Sequence, residues 1–131
     1  MTPQGPARTA RVLLVDDEDP VRDAHADGLR AEGHEVVAAS RGEEALALLA
    51  GGAFDLVITD LSMAGMSGFD VALGVKKIRP AVPVILLTGW ALSQSEERTR
   101  AAGVDRVLVK PCPLEDFCGA VQEVLHMPAR A

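Results

Sequence analysis

Four short runs of mostly aliphatic residues, each followed by a polar residue, constrain the fold of this chain more than any other feature. The runs cover residues 12–15, 56–59, 84–87 and 107–109. Unbroken runs of Val, Leu and Ile are typical of strands in a parallel sheet that is buried on both faces, whereas half-exposed strands alternate apolar and polar residues. The chain is therefore predicted to form a parallel β-sheet that is covered on both faces.

The residues that follow these runs carry carboxylate, hydroxyl or ammonium groups. They are Asp16 and Asp17, Asp60, Thr88 and Lys110. In an open parallel sheet the carboxyl ends of the strands lie at one edge, and ligands bind beyond that edge. These five side chains are therefore expected to meet at a single site for phosphate and metal.

Turn and helix-start signals place helices between the strands. A further strand, at residues 35–39, is less apolar than the others, and the third and fifth strands are predicted to begin at Asp55 and Asp105. The predicted helix starts are an N-cap at Asp19 followed by Pro20, a capping box of Ser40 with Glu43, and a capping box of Ser93 with Glu96. Five strands thus alternate with five helices in a three-layer α/β fold.

For a chain of 131 residues this alternation indicates one domain, built on a doubly wound five-stranded parallel sheet with the flavodoxin-like strand order 2-1-3-4-5. That order puts strands 1 and 3 side by side at the topological switch point, so the three aspartates converge. The predicted domain covers residues 11–126, between a disordered leader at residues 1–10 and a short tail at residues 127–131.

Composition argues against several classes of function. The formal net charge of −6 disfavours direct nucleic-acid binding, which needs clustered Lys and Arg. No apolar run approaches the roughly 20 residues that cross a bilayer, and no signal-peptide core is present, so we expect a soluble cytoplasmic protein without membrane contact. Cys112 and Cys118 are too few for a disulfide framework or a zinc site, and they are expected to pack in the fold.

Three converging carboxylates repel one another, and a divalent cation would remove that conflict. Ligands that are all oxygen favour Mg²⁺, with Mn²⁺ as an alternative, and argue against zinc. Lys110 can neutralise a phosphoryl oxygen and Thr88 can donate a hydrogen bond to one, so Asp60 is predicted to accept a phosphoryl group. The bond between Lys110 and Pro111 is one that can be cis.

Together these motifs resemble the receiver domain of bacterial two-component response regulators, of the chemotaxis-receiver type. The matching segments are the pair Asp16-Asp17, the loop at residues 60–68, Thr88-Gly89, and residues 103–111, which end in Lys110-Pro111. The resemblance implies a phosphoacceptor switch rather than a dedicated enzyme, with self-catalysed phosphorylation and dephosphorylation. It implies a histidine kinase or phosphotransfer domain as phosphodonor, and a downstream partner protein or fused module as target.

The resemblance also implies roles at the acidic cluster. Asp60 would accept the phosphoryl group from a phosphohistidine. Asp17, Asp60 and the Ser62 carbonyl would bind Mg²⁺, with Asp16 contributing through water.

Thr88 and Lys110 would contact the phosphoryl group, and Thr88 would act as the switch. Receivers usually carry Tyr or Phe three residues before the lysine, and this ring turns inward when the threonine moves. Val107 occupies that position, so the usual signal route is predicted to be altered. The other departures are Ala64 in place of a loop proline, Cys112 in place of a phenylalanine, and a bulky Trp90 at a variable position next to the pocket.

Two other functions fit the same fold. A Mg²⁺-dependent phosphohydrolase could use Asp60 as nucleophile, but Ser62 stands where the dehalogenase type needs its second aspartate. A flavin- or nucleotide-binding domain would need a glycine-rich phosphate loop after the first strand, where acidic residues lie instead. The sequence leaves open whether the domain acts alone or within a larger protein such as a hybrid kinase.

Overall fold

The computed structural model describes residues 8–89 and 96–127. Within these ranges five strands alternate with five helices. In chain order the elements are β1 (Arg11–Val15), α1 (Asp19–Ala31), β2 (Glu35–Ala39), α2 (Gly42–Gly51), β3 (Leu56–Asp60), α3 (Gly68–Ile78), β4 (Val84–Thr88), α4 (Glu96–Ala101), β5 (Arg106–Val109) and α5 (Leu114–Leu125).

The strands form one parallel sheet in the order β2-β1-β3-β4-β5, which confirms the predicted topology. The register aligns the carboxyl ends of the central strands. Val15 of β1 pairs with Thr59 of β3, so the next residues, Asp16 and Asp60, leave the sheet at the same level. On the other side Thr88 of β4 pairs with Val109 of β5, immediately before Lys110.

Two aliphatic cores lie on opposite faces of the sheet, because successive strand residues point to opposite sides. Val12 and Leu14 pack in the core that also holds Phe117 of α5, whereas Leu13 and Val15 pack in the other core. All four strand residues are fully buried. Burial on both faces explains why the strands are unbroken apolar runs, and each buried Leu or Val contributes about 1.5–3 kcal/mol of transfer free energy.

The starts of the first two helices differ from the predicted capping. The N-cap of α1 is Glu18, and Asp19 instead pairs with Arg22 at 2.7 Å. At α2 the predicted box of Ser40 with Glu43 is wrong. The Ser40 N–H donates to Glu44, one residue further on, at 3.0 Å. Asp19 has a charged partner, Arg22, within reach, and Ser40 has a second glutamate, Glu44, within reach. A capping pattern takes neither into account.

Two strands begin one residue later than predicted, and the side chain of the aspartate before each strand accepts a hydrogen bond from the first residue of a neighbouring strand. Asp55, before β3, accepts the Arg11 N–H at 2.9 Å. Asp105, before β5, accepts the Val84 N–H at 2.8 Å and the Lys76 ammonium at 3.1 Å.

A capping box that the sequence analysis missed opens α3. The Ser67 N–H donates to Asp70 at 3.1 Å, and the Asp70 N–H donates to the Ser67 hydroxyl at 3.3 Å. The usual pattern has Glu or Gln at the third position, and Asp makes the same reciprocal contact here. Gly74 in the same helix permits close packing, because a Cβ there would lie 2.6 Å from the Leu46 side chain of α2.

The packed part of the molecule includes the last residues of the predicted leader. The Arg8 N–H donates to the Gln122 side chain of α5, and the Gln122 amide donates back to the Arg8 carbonyl, each at 2.8 Å. The Ala10 N–H donates to His34 Nδ1 at 3.0 Å in a buried position. Residues 8–10 therefore belong with the domain, and the division into leader, domain and tail otherwise stays a prediction.

Two further expectations fall at the limits of the described ranges. The predicted capping box at Ser93 lies outside them, since residues 90–95 are not described. Among the helices that the structure describes, none is long and apolar enough to cross a membrane.

Candidate functional site

The predicted site residues lie at the carboxyl edge of the sheet. Asp16 follows β1, Asp60 ends β3, Thr88 ends β4 and Lys110 follows β5. Asp16, Asp60 and Thr88 are almost completely buried, at 0%, 3% and 2% exposure. Polar groups are rarely buried to this degree without a compensating partner, so the edge is a built site rather than a solvated surface.

Three carboxylates meet at this edge. One oxygen from each of Asp16, Asp17 and Asp60 lies within 4.8 Å of the others. Asp17 is the exposed member, and its Oδ2 accepts the Ala64 N–H at 3.1 Å. That bond joins the acidic turn after β1 to the loop after β3. Ser62 lies exposed in the same loop, two residues after Asp60.

Asp16 carries the least satisfied carboxylate of the three. Its Oδ1 accepts the Glu18 N–H at 2.9 Å, whereas its buried Oδ2 accepts no hydrogen bond from the part of the chain that the structure describes. Burial raises the pKa of Asp16, and the charge of Asp60 adds to that effect, while the Glu18 N–H and Lys110 oppose it. A buried oxygen without a donor, beside two more carboxylates, fits a divalent cation with oxygen ligands.

Lys110 supplies the positive charge of the site. Its Nζ lies 2.8 Å from Asp60 Oδ1 and 3.9 Å from Glu18 Oε1. Burial acts to lower the pKa of Lys110, but the hydrogen bond to Asp60 and the surrounding carboxylates outweigh burial and raise it. The ammonium therefore stays protonated and points at the predicted acceptor.

Backbone bonds hold the remaining strand ends in place. The Lys110 N–H donates to the Thr88 carbonyl at 2.6 Å, and the Leu61 N–H donates to the Leu87 carbonyl at 2.8 Å. The peptide bond between Lys110 and Pro111 is cis. These bonds connect β3, β4 and β5 at the point where their polar side chains emerge.

Gly68 is a site residue that the sequence analysis missed. A Cβ at this position would lie 2.5 Å from the Asp60 carbonyl oxygen and 2.8 Å from the Leu61 Cα. Because both contacts are to backbone, a larger side chain could be accommodated only if the strand end that carries Asp60 or the start of α3 moved. A glycine at the start of a helix, eight residues after the aspartate, was the available signal.

The predicted modulatory positions are only partly described. Val107 is half-buried on β5, pairs with Leu86 in the sheet and packs against the core on that face. Ala64 contacts the site through its backbone, as described above, and Pro111 is exposed. Trp90 lies outside the described residues, so its predicted position beside the pocket stays a prediction.

Helix α1 and its N-cap contribute three residues near the site that the sequence analysis did not single out. Glu18 contacts Lys110, and Arg22 donates to the Asp16 carbonyl at 2.9 Å. The His25 ring stacks on Phe117 with centroids 4.4 Å apart, and burial, followed by the charge of Lys110, lowers the pKa of His25. The i,i+3 spacing of Asp19 and Arg22 indicates that the two side chains can pair on one face of the helix. The hydrogen bond from Arg22 to the Asp16 carbonyl leaves no signal in the sequence, because every residue carries a backbone carbonyl.

The fold and this cluster define a known class of signalling domain. The model of the response regulator receiver domain matches residues 12–122, and the chain belongs to that family. The family assignment confirms the resemblance inferred from the motifs. It favours a signalling domain over the phosphohydrolase and flavin-binding alternatives.

Relatives of known name share this domain over a small part of their length. The response regulator protein FleR of Pseudomonas aeruginosa is 44% identical over 104 residues, which are 78% of this chain and 22% of FleR. The virulence sensor protein BvgS of Bordetella pertussis is 41% identical over an alignment of 135 positions that covers 98% of this chain and 11% of BvgS.

Solved structures agree with the fold. The chemotaxis response regulator CheY4 of Vibrio cholerae superposes with a TM-score of 0.84 at 32% identity, over 89% of this chain and 99% of CheY4. The response regulator TrrA of Thermotoga maritima, solved in complex with Mg²⁺-BeF, gives a TM-score of 0.80 at 35% identity, over 87% of this chain and 97% of TrrA.

Proposed function

We propose that this receiver domain is a Mg²⁺-dependent phosphoacceptor switch in which Asp60 takes a phosphoryl group from a phosphohistidine. The donor would be a histidine kinase or a phosphotransfer domain. The observation that carries the proposal is the contact of Lys110 Nζ with Asp60 Oδ1 at 2.8 Å, inside a cluster of three carboxylates. A carboxylate with a cation beside it is placed to receive a phosphoryl group, because catalysis of this transfer is mostly positioning and charge neutralisation.

The transfer exchanges one bond to phosphorus for another. An Asp60 carboxylate oxygen forms the new P–O bond while the P–N bond to the donor histidine breaks, and the departing imidazole nitrogen keeps the electron pair. Lys110 neutralises negative charge on the phosphoryl oxygens, and the Thr88 hydroxyl donates a hydrogen bond to one of them. Burial of Asp60 keeps bulk water from the acceptor, which strengthens these charge interactions.

The metal ligands would be Asp17, Asp60 and the Ser62 carbonyl, with Asp16 acting through water. The donor set fits Mg²⁺, and Mn²⁺ as an alternative, because it is entirely oxygen and includes a buried oxygen of Asp16 that accepts no hydrogen bond from the described residues. A bound cation would neutralise the carboxylates and orient the incoming phosphoryl oxygens. Asp16 would hold the acidic end of the site rigid, since its Oδ1 is already fixed by the Glu18 N–H.

Phosphorylation by small phosphodonors and loss of the phosphoryl group to water would both be catalysed by the domain's own residues. The output would be a changed surface that is recognised by a downstream partner or a fused module. Val107 lacks the ring that the family couples to its switch threonine, so the surface around β5 and α5 would respond weakly or in a different way. We infer no direct nucleic-acid or membrane contact, and the cytoplasmic location stays a prediction.

The test is phosphorylation by acetyl phosphate. With Mg²⁺ the protein should gain one base-labile, hydroxylamine-sensitive phosphoryl group, and Asp60→Asn should gain none. Asp55→Asn is the matched control, because Asp55 lies just before the opposite end of the same strand and should not affect labelling. Labelling that persists in Asp60→Asn, or that is equally fast in EDTA, would overturn the proposal.

A further inference from the structure

We propose that Arg22 is a positioning residue for the cation site, holding the Asp16–Asp17 peptide so that Asp17 faces Asp60. This inference rests on the proposed function and extends it to a residue of α1 that is not itself a ligand. It concerns the affinity for the cation, and it leaves the roles of Asp60, Thr88 and Lys110 unchanged.

Arg22 makes two contacts to the turn after β1 from one guanidinium group. Its Nη1 donates to the Asp16 carbonyl at 2.9 Å, and its Nη2 lies 2.7 Å from Asp19 Oδ1. The side chain is only 16% exposed, so these bonds are partly shielded from water. The Arg22 N–H also donates to the Glu18 carbonyl at 2.9 Å, which fixes the base of the side chain at the start of α1.

The bond to the Asp16 carbonyl matters because that carbonyl belongs to the peptide group that leads into Asp17. A peptide group is planar, so fixing its oxygen also fixes the direction of the Asp17 N–H. The Asp17 Cα lies in this plane, so fixing the plane restrains the position from which the Asp17 side chain extends. At the other end of the turn, Asp16 is fixed by its own N–H, which donates to the Ala39 carbonyl at 3.1 Å.

This restraint has an energetic role, because the turn gathers like charges. Asp16, Asp17 and Glu18 are consecutive acidic residues, and Asp60 lies within 4.8 Å of the first two. Repulsion favours conformations in which the exposed Asp17 turns away, and the Arg22 bond opposes them together with the Ala64 N–H that Asp17 accepts. Groups that orient metal ligands typically contribute about tenfold or more to metal affinity.

The competing explanation is that Arg22 simply stabilises α1. Arg30 provides the comparison, because it lies on the same helix and also combines a carbonyl bond with an ion pair. Its Nη2 donates to the Val36 carbonyl at 3.0 Å, and its Nη1 lies 4.0 Å from Asp27. These contacts are on β2 and α1, away from the carboxyl edge.

The test compares Arg22→Met with Arg30→Met, since Met keeps the aliphatic stem and removes the donors. Arg22→Met should bind Mg²⁺ about tenfold more weakly in a calorimetric titration, whereas Arg30→Met should bind as the native protein does. Asp19→Asn, which loses the ion pair and keeps the carbonyl bond, should bind Mg²⁺ nearly normally. Arg22→Lys should recover part of the affinity, because an ammonium can restore one of the two bonds.

A metal-free measurement separates positioning from general stability. Hydrogen exchange of the Glu18 amide, which donates to Asp16 in the turn, should accelerate in Arg22→Met and not in Arg30→Met. At saturating Mg²⁺ the acetyl phosphate labelling rate of Arg22→Met should return close to the native rate.

The outcomes distinguish this inference from the proposed function. Native Mg²⁺ affinity in Arg22→Met, or an equal loss in Arg30→Met, would overturn the inference and leave the phosphoacceptor proposal intact. A labelling rate that stays low at saturating Mg²⁺ would also overturn it, since Arg22 would then affect the transfer itself. Absence of Mg²⁺ binding by the native protein would overturn both.

Discussion

The two ends of the sheet use the same kinds of side chain in opposite ways. At the amino ends of the strands, carboxylates are matched with donors: Asp55 with the Arg11 N–H, and Asp105 with the Val84 N–H and the Lys76 ammonium. At the carboxyl ends, three carboxylates crowd together, and among the described residues Lys110 forms a salt bridge with only one of them, Asp60. The paired charges at the amino ends stabilise the fold, whereas the crowded carboxylates at the carboxyl ends can bind a cation.

The largest expected effect on stability comes from removing Asp105, at the amino ends of the strands. Asp105 is 1% exposed in its side chain, and Asp105→Ala would leave the buried Val84 N–H without its acceptor and Lys76 without its counter-charge. We expect a loss of about 2–3 kcal/mol in the free energy of unfolding, below the full cost of a buried pair because Lys76 is 19% exposed. Urea denaturation without metal measures this loss.

Asp17→Ala is the counterpart at the crowded end. Removing this exposed carboxylate relieves repulsion, so the metal-free protein should be as stable as the native one or more stable. The same variant should bind Mg²⁺ much more weakly, and stabilisation by added Mg²⁺ should therefore disappear. If Asp17→Ala lost as much stability as Asp105→Ala, or bound Mg²⁺ normally, the contrast between the two ends would be wrong.

A further prediction tests how closely the start of α3 packs against the end of β3. Gly68→Ala places a methyl group 2.5 Å from the Asp60 carbonyl, so either the strand end or the start of α3 must move. We expect a loss of about 1–3 kcal/mol in stability, as for other overpacked sites, together with slower labelling of Asp60.

Gly119 in α5 is the matched control for this substitution, because a Cβ there would meet no atom within 4 Å. Gly119→Ala should stabilise the protein by up to about 1 kcal/mol through helix propensity. Equal stability of the two variants in thermal denaturation would show that the approach of α3 to Asp60 is not a constraint.

Much of this arrangement follows from local sequence. The strands and their order were predicted because apolar runs and the turns between them are local signals, and parallel topology then brings the strand ends together without further information. The meeting of Asp16, Asp60 and Lys110 follows from that geometry. The role of Arg22 could not be assigned, because its acceptor is the Asp16 backbone carbonyl, which is identified only in the folded protein.

The predictions of helix capping were wrong for a different physical reason. Ser40 has two glutamates within reach, and the structure uses Glu44 where the pattern predicts Glu43. Asp19 fits an N-cap by pattern, but Arg22 offers it a charged partner at 2.7 Å. Several bonds of similar strength compete at such positions, and the tertiary structure decides among them.

Another prediction concerns acid stability, which should depend on His34, the residue just before β2. His34 is 5% exposed, and its Nδ1 accepts the Ala10 N–H. Burial lowers the pKa of His34 from its ordinary value of 6.5, against the opposing charge of Glu32. The unfolded chain therefore binds a proton more readily, so stability is fully present above about pH 6.5 and is lost as the pH falls towards the folded pKa.

His34→Gln keeps a possible acceptor and removes the titration, so it should reduce the loss of stability between pH 7 and pH 5. His25, whose pKa is also lowered by burial, contributes in the same direction, and His25→Gln should remove a further part. Asp16 has the opposite sign, because burial raises its pKa from 3.8 and its contribution is lost as the pH rises. Thermal denaturation between pH 7 and pH 5 checks the two histidines, and extending it below pH 3.8 includes the start of the Asp16 effect. An unchanged pH dependence in His34→Gln would contradict the assignment.

The smallest effect on phosphorylation is expected from Val107, which lies on β5 between the matched Asp105 and the site residue Lys110. Val107→Tyr restores the ring that the family couples to its threonine, at a half-buried position that packs against the core on one face of the sheet. It should alter dimerisation or partner binding more than the rate of acetyl phosphate labelling. Val107→Leu, which adds volume without a ring, should change neither.

Chemical-shift changes on addition of beryllofluoride should remain limited around β5 and α5 in the native protein and spread further in Val107→Tyr. If the native changes already covered that face, the valine would not limit the response, and the signal would leave the carboxyl edge by another route.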